Sequence, residues 1–133
     1  MNNKKRKIKI NDLGKLHQVR KYEVILYENN ELKCVVNRRF RHFFLLSEKI
    51  KSCYEYFITP LIPEKQYLKK IKSELNESEK EMHYETRKAL LEYYLDYISN
   101  HYKLSTTDEF HFFFKYNENF LEIQVKYYLK EEL

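Results

Sequence analysis

The segment YEVILYENNELKCVVNRRFRHF, residues 22–43, combines two strand patterns, a turn and the beginning of a helix. Its first six residues are aliphatic or aromatic apart from one glutamate, and this composition favours a strand. The tetrapeptide Glu-Asn-Asn-Glu at 28–31 suits a hairpin turn. Residues 32–40 fit the return strand, in which even-numbered side chains such as Arg38 share one face and odd-numbered ones such as Arg39 the other. We therefore predict an antiparallel hairpin that runs directly into a helix.

Helical spacing replaces strand alternation at the end of this segment. Helical spacing relates Phe43, Leu46, Ile50 and Cys53, which predicts an amphipathic helix over roughly 42–55. The segment 57–63 contains both prolines of the chain, and it predicts an extended, polyproline-like connector. A weak helix is predicted after it, at about 65–75.

The second half of the chain is predicted to be helical. A capping box, Ser-Glu-Lys-Glu at 78–81, predicts the start of a long helix. Thr107 is predicted to begin a second helix, and Asn117 a last one. The side chains that we expect these helices to bury are Leu91, Tyr94, Leu95, Ile98, Tyr102, Phe110, Phe113 and Phe114.

The order of the elements, strands first and helices afterwards, defines the fold class. It predicts an α+β fold, in which a small three-stranded antiparallel sheet packs against a helical subdomain that has a proline-containing connector. A short strand at about 16–20 is expected to complete the sheet. We divide the chain into a basic flexible tail at 1–15, a folded domain at 16–116 and a C-terminal helix at 117–133.

Catalytic and metal-binding motifs are not recognisable in the 133 residues. The single glycine, Gly14, excludes the nucleotide-binding loops and the nucleophile elbow, because each of them needs at least two glycines. The histidines are scattered and the two cysteines form no ligand cluster, so we expect no metal, no cofactor and no enzymatic activity. The absence of a signal peptide and of a long apolar run predicts a soluble cytoplasmic protein.

Positive charge is concentrated at the N-terminus. Five Lys or Arg residues and no acid stand among the first ten residues, and they account for the whole net charge of +5. Such a run suits nucleic acid or an anionic membrane surface, and it is as often only a solvated tail. The neutral remainder of the chain argues against nucleic acid as a partner.

The most informative cluster is Arg38-Arg39-Phe40-Arg41, at the predicted junction of strand and helix. Arginine binds phosphate through a planar fork, an aromatic ring packs against an apolar sugar-like face, and a helix start adds free N–H groups. The residues alone leave two interpretations open, an anion site or a core phenylalanine with arginines paired to carboxylates. Lys65 and Arg87, taken alone, are ordinary surface charges.

Four short motifs resemble those of the PX (phox homology) domain family, found in sorting nexins, over about residues 19–114. The first is RRFRHF at 38–43, and the second is PLIPEK at 60–65. The third is RKALLEYYL at 87–95, and the last is LSTTDEFHFF at 104–113. Each motif is weak singly, but their order on the predicted elements makes the resemblance specific.

The resemblance implies a pocket for a phosphoinositide headgroup, usually that of phosphatidylinositol 3-phosphate. By position in the motifs, Arg39 holds the 3-phosphate and Phe40 stacks on the inositol ring. In the same way, Lys65 meets the 1-phosphate and Arg87 hydrogen-bonds the ring hydroxyls at positions 4 and 5. All four headgroup contacts are present, which favours a lipid-binding member of the family.

The neighbours of these motif residues add further expectations. Arg38 and Arg41 are predicted to contribute to phosphoinositide binding, and Arg41 to widen it toward more phosphorylated lipids. Tyr67 and Leu68 lie in the loop that the resemblance places in the bilayer. His42 stands where the family often has Asp, so we expect the helix start to lose a good capping group.

A PX-only sorting nexin is the closest description, because the segment after residue 114 is too short for a BAR domain. The resemblance then implies a protein that is peripheral on endosomal membranes and acts in endosomal protein sorting and vesicle trafficking. Retromer subunits and cargo tails are candidate partners. Two alternatives remain, a PX-like protein-interaction module without lipid binding and a basic nucleic-acid-binding protein.

Overall fold

The computed structural model describes residues 5–16, 18–62, 75–115, 117, 121 and 123. The elements in chain order are strands β1 (Arg6–Leu16), β2 (Val19–Glu28) and β3 (Glu31–Arg39), helices α1 (Phe40–Cys53) and α2 (Glu77–Asn100), a short 3₁₀ turn (Leu104–Thr106) and helix α3 (Asp108–Lys115). The predicted α+β architecture, a three-stranded sheet followed by helices, is therefore confirmed.

The strands form an antiparallel sheet in the order β1-β2-β3. Val24 in the central strand pairs with Ile10 on one side and Val36 on the other. Buried and partly exposed side chains alternate along β2, because successive residues point to opposite faces of the sheet. The hairpin between β2 and β3 turns at Asn29 and Asn30, whose φ angles of 52° and 67° are the left-handed values of a type I′ turn.

The first strand corrects the prediction of a flexible tail at 1–15. Residues 6–15 of that segment lie in β1, and Ile8 and Ile10 are each only 1% exposed. Lysines alternate with these isoleucines, so the apolar side chains face the core while the basic ones face solvent. The strand predicted at about 16–20 was also wrong, because Leu16 is the last residue of β1 and Val19 is the first of β2.

Helix α2 packs along the outer edge of β1, and its side chains accept hydrogen bonds from three backbone N–H groups of that edge. Acceptors one helical turn apart advance by about 6 Å, close to the roughly 6.7 Å rise of two strand residues. Each acceptor therefore meets the next outward-pointing N–H of the strand. The three contacts are Asp96 Oδ1 with Ile8 N–H at 2.8 Å, Glu92 Oε2 with Ile10 N–H at 2.9 Å, and Asn100 Oδ1 with Arg6 N–H at 3.0 Å.

Helix α1 begins at Phe40 and ends at Cys53, two residues before each end of the predicted range of 42–55. Phe43 and Ile50 are fully buried, as their helical spacing predicted. Cys53 is exposed instead, because it lies at the last turn where the helix leaves the core.

The connector after α1 is described as far as Ile62, and it forms no regular helix or strand over 58–62. The weak helix predicted at 65–75 lies outside the described residues, except for residue 75. Lys65, Tyr67 and Leu68 lie outside them as well, so their predicted roles stay predictions.

Helix α2 begins one residue before the predicted capping box. Asn76 is its N-cap, and its Oδ1 accepts the Glu79 N–H at 2.8 Å. The prediction that Ser78 starts the helix was therefore wrong, since asparagine supplies the same kind of acceptor two positions earlier. The buried stripe is confirmed at four of its five positions, namely Leu91, Tyr94, Leu95 and Ile98. Tyr102 is 80% exposed, because the helix ends at Asn100.

Helix α3 begins after Thr107, as predicted, and Thr107 Oγ1 accepts the Phe110 N–H at 3.3 Å. Phe110 and Phe113 are buried, whereas Phe114 is only partly buried at the edge of the core. The Phe113 ring lies 5.1 Å from that of Phe43, which ties α3 to α1.

The predicted C-terminal helix at 117–133 lies mostly outside the described residues. Within it, the Leu121 N–H donates to Asn117 O at 3.2 Å, and Leu121 is buried. Among the helices that the structure describes, none is long and apolar enough to cross a membrane.

Candidate functional site

The junction of β3 and α1 places Arg39 and Phe40 at the start of a helix. Arg39 is the N-cap residue and has an extended backbone, with φ −93° and ψ 163°. His42 is buried, and its Nδ1 accepts the Arg39 N–H at 2.8 Å. An imidazole therefore takes the place of the carboxylate that usually reaches back from this position. The expectation that His42 leaves the helix start without a capping group was wrong.

The first turn of α1 is positive. It contains no acidic residue, so the partial charge of the helix N-terminus is not offset within the turn. Arg41 lies in this turn and is partly buried. The positive end of a helix favours a bound anion.

Arg87 is brought to this junction from the middle of α2. Its Cζ lies 3.8 Å from the centroid of the Phe40 ring and 5.9 Å from that of Tyr22. Both rings are buried, so the guanidinium packs against aromatic side chains that are fixed in the core. These distances are those of cation–π contacts, which hold a cation in place without neutralising it.

Arg87 forms no direct ion pair in the part of the chain that the structure describes, although the negative charge of Asp12 raises its pKa slightly against the effect of burial. No carboxylate there forms a salt bridge with it, and its buried Nε has no hydrogen-bond partner there. Burial lowers the pKa of this guanidinium below its usual value. Burial also raises the pKa of Tyr22 to about 12, so at neutral pH this phenol is uncharged. A desolvated cation with unused donors favours an anionic ligand.

Arg38 pairs with Tyr22 across β2 and β3, and its side chain is fixed in the core. It is 2% exposed, and its Nε donates to Phe113 O at 2.8 Å while Nη1 donates to Asn37 O at 2.7 Å. The strand alternation predicted this orientation, since Arg38 shares the inner face with the core residues of β3. The side chain joins β3 to α3, and this geometry gives it a structural position rather than one in the pocket.

Arg20 belongs to the site and was missed from the sequence. Its Cζ lies 3.5 Å from the centroid of the Tyr84 ring, and its Nη1 lies 2.6 Å from Asp12 Oδ2. Tyr84 stands three residues before Arg87 on α2, so Arg20 is a neighbour of Arg87. The alternation of β2 places Arg20 and Tyr22 on the same face of the sheet, and this was the available signal. The contact of Arg20 with Tyr84 could not be predicted from local sequence, because Tyr84 lies on α2.

Metal chemistry has no support in the described part of the chain, which contains no group of three or more His, Cys, Asp or Glu side chains able to hold a metal ion. The site consists of guanidiniums, aromatic rings and a helix start. These groups favour the binding of an anion that has an apolar face.

The arginines, the aromatic rings and the helix start of this α+β domain favour the class of anion-binding modules, and the comparison with known families makes this class specific. The family model of the PX domain matches residues 26–117, which is more than half of the chain. The chain belongs to the PX domain family. No curated protein matches it. PX domains bind phosphoinositides and target proteins to membranes as peripheral modules, and they are generally not enzymes.

Proposed function

We propose that this protein binds phosphatidylinositol 3-phosphate and acts as a sorting nexin in endosomal protein sorting. The observation that carries the proposal is the Arg87 guanidinium, held 3.8 Å from the Phe40 ring centroid with a buried donor that has no acceptor among the described residues. A phosphorylated inositol matches this arrangement, because its ring has an apolar face and its hydroxyls and phosphates supply acceptors.

Each residue has a distinct role in this proposal. Arg39, next to the positive start of α1, holds the 3-phosphate through its bidentate fork. Phe40 packs against the inositol ring, and Arg87 hydrogen-bonds the ring hydroxyls at positions 4 and 5. Arg41 adds positive charge in the same turn of α1, while Arg38 supports the junction from the core.

The membrane-facing part of the proposal rests on the family resemblance. Lys65 binds the 1-phosphate, which joins the headgroup to the diacylglycerol. Tyr67 and Leu68 follow within three residues and enter the bilayer beside it. Replacing both with glutamate should spare binding to soluble headgroup and weaken binding to liposomes, as measured by co-sedimentation.

Calorimetric titration with a soluble, short-chain form of phosphatidylinositol 3-phosphate tests the pocket directly. Arg87→Gln should weaken binding at least about tenfold, because charge-assisted hydrogen bonds each contribute roughly 1.5–3 kcal/mol. Lys88→Gln is the matched control, since it removes one positive charge from the next residue of the same helix. It should bind as the wild type does.

The outcome separates the two functional classes. Equal binding by wild type and Arg87→Gln, with both proteins folded by circular dichroism, would refute the pocket and favour a protein-interaction module. Binding to liposomes that depends on total negative charge and not on the 3-phosphate would refute the specific lipid. Colocalisation with endosomal 3-phosphoinositide, lost in Arg87→Gln, tests the endosomal role, and retromer subunits or cargo tails recovered with wild type test the sorting role.

A further inference from the structure

Arg20 is a second immobilised cation beside the pocket. Its guanidinium stacks on the Tyr84 ring at 3.5 Å and pairs with Asp12 at 2.6 Å, and the side chains of this ion pair are 21% and 24% exposed. Stacking fixes the plane of the guanidinium and leaves its N–H donors pointing outward within that plane. Arg20 is therefore fixed in position, and about a fifth of its side chain, which excludes the buried Nε, is exposed to a ligand.

Arg20 and Arg87 form a cationic pair with too little acid to balance it. Burial is the main cause that lowers the pKa of Arg87, and the positive charge of Arg20 lowers it further. Asp12 forms an ion pair with Arg20, and its negative charge also raises the pKa of Arg87. Within the described residues, no other carboxylate interacts with both arginines. Two adjacent cations thus share one carboxylate.

Donors of both guanidiniums remain unused. The Nε atoms of Arg20 and Arg87 are buried, and neither has a hydrogen-bond partner among the described residues. Each carboxylate oxygen of Asp12 already has a partner, because Oδ1 accepts the Gly14 N–H at 2.8 Å while Oδ2 pairs with Arg20. A phosphate group would supply the missing acceptors, since its oxygens match the fork of arginine.

We propose that Arg20 binds a second phosphate of the lipid headgroup, so that the pocket recognises 3-phosphoinositides that carry another phosphate at ring position 4 or 5. This inference rests on the proposed function, in which Arg87 faces positions 4 and 5 of the ring. A phosphate on that edge of the ring meets Arg20 next to Arg87 and takes over its pairing from Asp12. The ligand class is a 3,4- or 3,5-bisphosphorylated inositol lipid.

Calorimetry with soluble short-chain lipids tests this inference through a ratio of affinities. Wild type should bind the 3,4- or the 3,5-bisphosphate at least about tenfold more tightly than the 3-monophosphate, the gain that charge-assisted hydrogen bonds to one phosphate provide. Arg20→Gln should lose this preference, so that the ratio of the bisphosphate and monophosphate affinities falls to about one. Arg20→Lys should keep part of the preference, since it retains the charge without the fork.

Two further variants sharpen the test. Asp12→Asn should increase affinity for the bisphosphate, because it removes the competing negative charge and keeps an Oδ1 acceptor for Gly14 N–H. Lys9→Gln is the charge-matched control, since Lys9 is exposed and alternates with the inward-facing Ile8 and Ile10. It should leave the ratio of the two affinities unchanged.

The results distinguish this inference from the proposed function. Monophosphate binding without any preference for either bisphosphate in the wild type would overturn the role of Arg20 alone. A loss of affinity in Arg20→Gln that is equal for all three lipids would overturn it as well. Failure of the wild type to bind any phosphoinositide would overturn both. Should Arg20→Gln not fold, Arg20→Lys and Asp12→Asn decide the outcome.

Discussion

Two adjacent arginines have opposite environments. Arg38 points into the core, where its Nε donates to Phe113 O at 2.8 Å, whereas Arg39 is partly exposed and is the N-cap residue of α1. Their separation follows from strand alternation, because neighbouring side chains leave a strand on opposite faces. One arginine therefore stabilises the fold from the core, and its neighbour lies at the start of α1.

Single substitutions should separate these two roles. Arg38→Gln should lower the free energy of unfolding by about 1–3 kcal/mol, because buried carbonyl groups lose their donor. Arg39→Gln should retain stability and lose most of its affinity for phosphatidylinositol 3-phosphate. Urea denaturation and calorimetric titration of both variants measure the two effects. A stable Arg38→Gln, or an Arg39→Gln that binds normally, contradicts the assignment.

The capping contact of His42 yields a second prediction. His42→Ala should lower the free energy of unfolding by at least about 0.5–2 kcal/mol, the usual loss when a cap is removed, because the Arg39 N–H loses its acceptor. His42→Gln should recover part of this loss, since glutamine reaches back from the same position in a capping box. Equal denaturation midpoints for the two variants would show that the side chain only fills space.

Strand β1 was not predicted, because the positive charge of the N-terminal segment favoured a flexible tail. Its lysines predicted a solvated tail, but Ile8 and Ile10 alternate with them and are buried against the helices. The partners of its outer edge come from Glu92, Asp96 and Asn100, which are far away in the sequence. A positive N-terminal segment is therefore part of the folded domain.

Deleting residues 1–9 should therefore destabilise the fold in addition to removing charge. The loss of buried Ile8 alone costs roughly 1.5–3 kcal/mol, and the β1 hydrogen bonds are lost with it. Deleting residues 1–4 is the control, because it removes one lysine and leaves the whole of β1. Thermal denaturation compares the two. An unchanged midpoint after the longer deletion would restore the interpretation of a dispensable tail.

At the scale of the whole molecule, histidines couple stability to pH. Burial lowers the pKa of His83 and His101 below the usual 6.5, and the charge of Arg87 lowers that of His83 further. His101 Nδ1 also accepts the N–H groups of Lys103 and Leu104 at 3.1 Å each, which a protonated ring could not do. Below pH 6.5 the unfolded chain thus binds more protons than the folded one.

Stability should consequently be complete above about pH 7 and decrease as the pH falls through 6.5 toward 5.5. Urea denaturation midpoints across this range measure the dependence. His101→Asn should flatten it, since asparagine keeps an acceptor for the two N–H groups and does not titrate. Midpoints that stay constant from pH 8 to pH 5.5 would contradict the prediction.

The sequence predicted those parts of the molecule whose signals are local. The hairpin, the buried face of α2 and the junction at Arg39 and Phe40 each follow from residues that are close together in the chain. The contact of Arg87 with Phe40 could be expected only through the family resemblance, because 47 positions separate the two residues. Arg20 was missed for the same reason, since its partner Tyr84 lies on a different element.

The contacts between α2 and the edge of β1 have a consequence for self-association. An unpaired strand edge is a template for a strand from another copy, and proteins concentrated on a membrane meet such copies often. Here the side chains of α2 already accept the N–H groups of Arg6, Ile8 and Ile10, which an incoming strand would need along the first half of β1. The helix thus acts as a permanent substitute for a fourth strand, and polymerisation through the β1 edge would first require α2 to detach.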